Sequence, residues 1–294
     1  MNFLKNILKN TISGILSFFL GIFLIIIFFS VLTSLFSNNK EEKIIVKEKS
    51  ILHIDNLSII DDRDLKASDL NLDIEIPIPL LQNQKIGEKI SLRTFERIIN
   101  SAKDDEKIKA IYLNFNTISI SFNKLEKVRN ILKNFKEDKP IYSYSEYYSK
   151  GAYYLSSIAN YITVSPPGFI SVSGYGISEF FYKDLFSELG IKIQLFRVGE
   201  YKGAAESYVR SNFSDENKEQ YLSLLNYRFN KYLNNISESR NIIKEDLLDM
   251  INNYETELSD DALKNNLIDD LLYEDQMVDY LKEKVDSSYQ NISL

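Results

Sequence analysis

With 294 residues, 44% of them hydrophobic and 26% charged, the chain can bury one sizeable core or two smaller ones and lacks the composition of a disordered protein. A net charge of −7 with no basic stretch excludes a nucleic-acid partner, because neutralising phosphates needs clustered cations. There is no cysteine, a single histidine at His53 and no cluster with metal-ligand spacing, so neither a metal nor a cofactor is expected and any acyl chemistry must use another base.

No charged residue occurs from Asn10 to Asn39, and Ile12 to Phe36 is dominated by Ile, Leu and Phe. About 20 apolar residues cross a hydrocarbon core as helix, so residues 1–37 are predicted to form a membrane anchor. A cleavable signal would have a shorter apolar core of about 7 to 15 residues. Lys5 and Lys9 precede the span and Lys40, Lys43, Lys47 and Lys49 follow it, which leaves its orientation open. Residues 38–49 are polar and read as a tether.

The folded domain is assigned to residues 50–285, opening with an apolar strand from Ser50 to Ile54. Asp61 to Ile86 carries Pro77 and Pro79 and reads as a loop-rich insertion. Helices and strands then alternate. Helices are predicted over Leu92–Ala102, Phe122–Phe135 and Lys150–Ala159, and strands over Ala110–Phe115, Ile141–Ser145 and Tyr161–Val164. Leu92, Phe95, Ile98 and Ile99 share one face of the first helix, and Leu125, Val128, Ile131, Leu132 and Phe135 one face of the second. This rhythm specifies an α/β architecture around a largely parallel sheet. A strand is expected over Phe169–Val172, a helix over Glu179–Leu189 stopped by Gly190, and a strand over Ile191–Val198. Ser214 has the character of an N-cap for a long helix to about Asn235. Residues 286–294 read as a linker or cut edge.

The stretch Arg197-Val198-Gly199-Glu200-Tyr201-Lys202-Gly203-Ala204-Ala205-Glu206 sets one lysine in a small-residue turn. A general-base lysine must be neutral, which requires burial or a neighbouring cation to lower its pKa from about 10.4. Val198, Tyr201, Ala204 and Ala205 could supply apolar walls, while Gly199 and Gly203 permit a tight turn. Pairing with Glu200 or Glu206 would raise the pKa instead and make Lys202 inert. On these flanks alone Lys202 reads as a solvated charge rather than a base. His53 reads as structural. Tyr142, Tyr144, Tyr147, Tyr148, Tyr153 and Tyr154 are either groove-lining or core residues. Asp61-Asp62, Asp104-Asp105 and Asp260-Asp261 read as turns and helix starts.

The Arg197–Glu206 string closely resembles the general-base motif of the signal peptide peptidase A family in its long, tandem-domain form. Tyr148 to Asn160, Ser165-Pro166-Pro167-Gly168 and Gly174-Tyr175-Gly176 extend the resemblance across nearly the whole chain. It implies an oligomeric serine peptidase of the ClpP/crotonase-like superfold, built from repeated β-β-α units. The family is anchored in the bacterial inner membrane by one span, with the globular part periplasmic, and degrades cleaved signal peptides and other apolar peptides. Lys202 matches the base. In the long form a homologous second domain supplies the serine, and this chain carries one domain. The family's nucleophile directly precedes a small-residue turn that opens a helix; here the turn is Gly151-Ala152-Tyr153-Tyr154 and Lys150 holds that slot. Ser149, one place earlier, is rotated away by about 100° and reads as a helix cap. The turn that would carry oxyanion donors, Asn114 to Ile120, has no glycine. The resemblance therefore implies the base-bearing half of a Ser/Lys dyad or a non-catalytic scaffold of the same fold.

Overall fold

Short apolar runs without polar alternation must be covered on both faces, which a parallel sheet flanked by crossover helices achieves. The computed structural model describes residues 13–29, 46–55, 57–59, 89–285 and 291–293 and divides the chain into two units, 1–45 and 46–294. In the first unit residues 13–29 form helix α1, about 25 Å long at about 1.5 Å per residue. Among the described residues no helix is long and apolar enough to cross a membrane. The rest of the expected anchor, most of the tether and the 61–86 insertion lie outside the described residues.

The second unit begins with β1 (Ser50–Asp55), β2 (Ser58–Ile59) and β3 (Lys89–Ile90), followed by α2 (Leu92–Asp104). Then come β4 (Ile108–Asn114), β5 (Ser119–Ile120), α3 (Phe122–Lys136), β6 (Ile141–Ser145), α4 (Lys150–Ser156) and β7 (Tyr161–Val164). With β8 (Asp270–Leu271) and β9 (Asn291–Ser293) they build a six-stranded sheet ordered β8-β7-β6-β4-β1-β9, every pairing parallel. β1 and β4 lie side by side from Ile51 opposite Ala110 to Asp55 opposite Asn114. A second parallel sheet, β3-β2-β5, gathers the short strands, and Tyr148 and Ile170 bridge in the same parallel sense. The repeating unit is thus a long strand, a short strand and a helix.

Helix faces follow their periodicity: α2 buries Leu92, Phe95, Ile99 and Ala102, and α3 buries Leu125, Val128, Leu132 and Phe135. Beyond β7 the chain forms α5 (Lys183–Glu188) and α6 (Glu206–Val209), then the long α7 (Asp215–Arg240). Ser214 caps α7, its hydroxyl accepting from Asn217 N at 3.2 Å. α8 (Lys244–Asn252), α9 (Ser259–Lys264) and α10 (Glu274–Val285) complete the described helices. Arg129, in α3, is buried and ties α4 and α7 together. Its guanidinium donates to Tyr154 O, to Ser157 Oγ (2.8 Å), to Asn235 O (2.8 Å) and to Ser239 Oγ (2.6 Å).

Three stretches depart from the expected elements. Phe169 and Ile170 form isolated bridges rather than a strand over 169–172. Ile191–Val198 forms no strand and pairs with none among the described residues. The expected helix over 179–189 contracts to α5, which buries no residue and so lacks the packing that holds a short helix. Gly190 does stop it, with φ at +70°. Within the expected linker at 286–294, residues 291–293 pair with β1 as an edge strand.

Candidate functional site

Two places carry the chemistry that the sequence pointed to. The first is the start of α4. Ser149 is its cap, the hydroxyl accepting from Ala152 N at 3.4 Å, while Ser149 N donates to Asn116 O at 2.9 Å. Asn116 Oδ1 in turn accepts from Ser145 Oγ at 2.6 Å and Glu146 N at 3.2 Å. The glycine-free turn from Asn114 to Ile120 therefore lies directly against the helix start. A side chain at Gly151 would bring Cβ to 3.0 Å from Ile118 Cδ1, a tight contact that the Ile118 side chain would have to shift to relieve.

Lys150 occupies the slot before that turn. Its ammonium donates to Gly174 O and sits over the Tyr175 ring, 4.2 Å from the centroid. Burial draws its pKa below the usual lysine value. Tyr148, just upstream, is fully buried; its hydroxyl donates to Thr163 O at 3.0 Å and shares a 2.8 Å hydrogen bond with Ser143 Oγ. Tyr144, Tyr148, Tyr153 and Tyr154 are all core residues. His53 is also buried, its ring stacked on Tyr112 at 4.8 Å.

The second place is the turn that holds Lys202. Nothing between Ser173 and Ala205 is buried. This arm exposes Phe180, Leu189, Ile191, Phe196 and Val198, the last two by 90% and 84%. Lys202 itself is exposed. The apolar wall expected from Val198, Tyr201, Ala204 and Ala205 is not closed within the described chain: Val198 and Ala204 are exposed, and Tyr201 turns its hydroxyl to Glu219 of α7 at 3.0 Å. Lys202 and Lys150 make no hydrogen bond with each other.

The expected hazard from Glu200 and Glu206 does not arise, since neither pairs with Lys202 among the described residues. Glu206 turns the other way, its side chain only 2% exposed. Its Oε2 accepts from Ser214 N at 2.9 Å and Asn217 Nδ2 at 3.1 Å, and its Oε1 lies 3.6 Å from Arg197 Nη1. Burial is the largest single influence on it and would by itself raise its pKa. The hydrogen bonds from Ser214 and Asn217 and the nearby Arg210 prevail and hold it below the usual carboxylate value. Arg197 Nη1 also donates to Lys202 O at 3.1 Å. Gly199 has φ at +98°, a conformation that favours glycine. Gly203 is required for closeness instead: a Cβ there would fall 2.5 Å from Asn217 Cγ. Arg197, Glu206 and Asn217 were not singled out as structural partners from sequence. The signal available was a carboxylate one helical turn after Lys202, followed by the Ser214-to-Asn217 cap.

The structure is thus an α/β domain of repeated β-β-α units, with a lysine-bearing turn on an exposed arm and a tight helix start facing a strand turn. The family model for peptidase family S49 matches residues 133–288. The chain belongs to peptidase family S49, as a member of the signal peptide peptidase A kind. It is 32% identical over 188 residues to Protease 4 of Haemophilus influenzae, covering 63% of this chain and 30% of that one. To the chloroplastic serine protease SPPA of Arabidopsis thaliana it is 28% identical over 223 residues, covering 75% of this chain and 32% of that one. The chain thus spans about a third of the length of these curated relatives. Among solved structures, a mutant form of a membrane-bound stomatin-specific protease aligns with 85% of this chain and 94% of its own. The TM-score is 0.41 at 12% identity, too distant to carry an argument.

Proposed function

We propose that this chain is the base-bearing half of a membrane-anchored serine peptidase of the crotonase-like superfold, which degrades cleaved signal peptides with a Ser/Lys dyad. The observation that carries the reading is the division of the site. The slot before Gly151 holds Lys150, committed to Gly174 and Tyr175, while Lys202 stands exposed on an apolar arm with no covering element. A homologous serine-bearing domain, in the same assembly or on a second chain, docks against the arm. Docking removes water from Lys202 and favours its neutral form. The neutral amine takes the proton from the partner's serine hydroxyl as the serine oxygen attacks the peptide carbonyl. Water then resolves the acyl-enzyme. The Ile12–Phe36 run serves as a single-pass anchor in the bacterial inner membrane, the globular part is periplasmic, and the domains assemble into a ring-like oligomer.

Lys150 in the nucleophile slot and the absence of glycine from Asn114 to Ile120 also favour a second reading, a non-catalytic membrane scaffold of the same fold. Cleavage of an apolar peptide by the full chain, with and without a serine-bearing S49 domain, separates the two. Activity of the pair that Lys202→Ala abolishes supports the dyad. A bound but inactive pair supports the scaffold, and activity of this chain alone that survives Lys202→Ala refutes the assignment of the base.

A further inference from the structure

The turn that carries Lys202 is fastened to α7 at two places: the Tyr201 hydroxyl donates to Glu219 Oε2 at 3.0 Å, and the larger fastening is built around a buried carboxylate. Glu206 Oε2 receives Ser214 N and Asn217 Nδ2, both at the start of α7. Its Oε1 faces Arg197, and the same Arg197 guanidinium reaches the main-chain carbonyl of Lys202. Gly203 closes the arrangement by letting the backbone approach the Asn217 amide more nearly than any side chain would allow. A single carboxylate thereby connects the helix start, the arm and the backbone of the lysine.

We propose that Glu206 is a positioning residue for Lys202. Its ionised carboxylate holds Asn217 and Arg197 in the orientations that fix the turn from Gly199 to Ala205 against α7. The proposal rests on the reading of Lys202 as the base, but the fastening itself belongs to this chain alone. Neutral hydrogen bonds would not suffice: an Asn or Gln acceptor at this point satisfies Ser214 N but gives Arg197 no counter-charge, and charge-assisted bonds are about twice as strong as neutral ones. The charged groups facing Glu206 are Arg197 on the arm and Arg210 just after α6, while α7 contributes the non-titrating Ser214 and Asn217.

Amide hydrogen exchange on the full chain, read by mass spectrometry and corrected for the intrinsic rate at each pH, tests the idea without a partner. In the native chain, protection of peptides covering 197–206 and 213–218 persists through neutral pH and falls as the pH drops below the usual carboxylate range. Peptides from β4 and α3 keep theirs over the same interval. Glu206→Gln abolishes that pH step and raises exchange in the two segments at least fivefold at pH 7, leaving β4 and α3 within twofold. Arg197→Met raises exchange in 197–206 but not in 213–218. Unchanged protection in Glu206→Gln, or a pH step that persists in that variant, overturns the proposal. A global rise that includes β4 and α3 overturns it as well, because the carboxylate would then serve the fold at large. In the peptide-cleavage assay with a serine-bearing S49 domain, Glu206→Gln lowers kcat at least tenfold with KM within twofold. If Lys202→Ala leaves cleavage intact while the exchange results stand, the base reading fails and the fastening survives.

Discussion

Replacing Arg129 by Met tests whether the junction of α3, α4 and α7 depends on the guanidinium or only on the bulk of the side chain. Arg129 is 1% exposed, and burial lowers its pKa from 12.5 to about 10, which corresponds to about 3 kcal/mol against the charged form. Against that stand four hydrogen bonds from a charged donor, each contributing about 1.5 kcal/mol or more. A cation–π contact with Tyr154 at 4.5 Å adds about 1 kcal/mol. Methionine keeps the unbranched stem and escapes the desolvation penalty. It also strips Asn235 O and Ser239 Oγ of a donor, whereas Tyr154 O retains Ser157 Oγ at 3.0 Å. The expected net loss is about 3 kcal/mol, in the range seen when a buried charged network loses one member. In urea, with a slope of about 2 to 3 kcal/mol per molar, the midpoint falls by roughly 1 M. A Met variant within about 0.5 kcal/mol of the parent would refute the reasoning and make Arg129 a space-filler.

Two further outcomes follow from the geometry. Gly203→Ala forces the Asn217 amide away from Glu206 and costs about 1 to 3 kcal/mol in thermal or urea unfolding. Added to Asn217→Ala it costs almost nothing more, and strict additivity of the two changes would show that they do not share one space. Burial raises the pKa of Tyr148, Tyr153 and Tyr232, and that of Tyr175 to about 12. Because the folded values exceed the unfolded value near 10, their contribution is complete below about pH 10 and is lost as the pH rises through the folded values. Tyrosinate absorbance at 295 nm is expected to show this set ionising only as circular dichroism collapses. Ionisation near pH 10 with the fold intact would contradict it.

The core elements were legible because burial wrote a period into the sequence. Ile141–Ser145 and Tyr161–Val164 occur as strands with the bounds predicted, and the α2 and α3 faces are the ones that the 3.6-residue spacing selects. Ser149 and Ser214 were legible as caps because a hydroxyl before an apolar run has few other uses. Ile191–Val198 misled for the opposite reason: its residues favour a strand, but a strand also needs a neighbouring edge, and local sequence does not record whether one exists. Glu206 illustrates a second limit. Beside Lys202 in sequence it reads as a threat to the base, and only the chain path shows that its carboxylate points towards α7. Arg129 gave no sign at all, since an arginine on a helix is ordinarily exposed.

Order around Lys202 is asymmetric, and the asymmetry bears on how the proposed partner would act. The turn itself is held by Glu206, Asn217 and the Ser214 cap on its carboxyl side and by Arg197 on Glu206 and Tyr201 on Glu219 on its amino side, whereas the run that leads into it pairs with no strand among the described residues and leaves Phe196 and Val198 facing solvent. Covering each of those two side chains supplies about 1.5 to 3 kcal/mol, and a partner strand along 191–198 adds main-chain hydrogen bonds. Under the proposed function, such docking would order the run that leads into the turn and cover Lys202 in one event, without requiring any change in the contacts with α7. In the proposed assembly the lysine is exposed in the separate chain and covered only when the partner's serine is in place. On that reading, the contacts that complete the site are also the ones that exclude water from it.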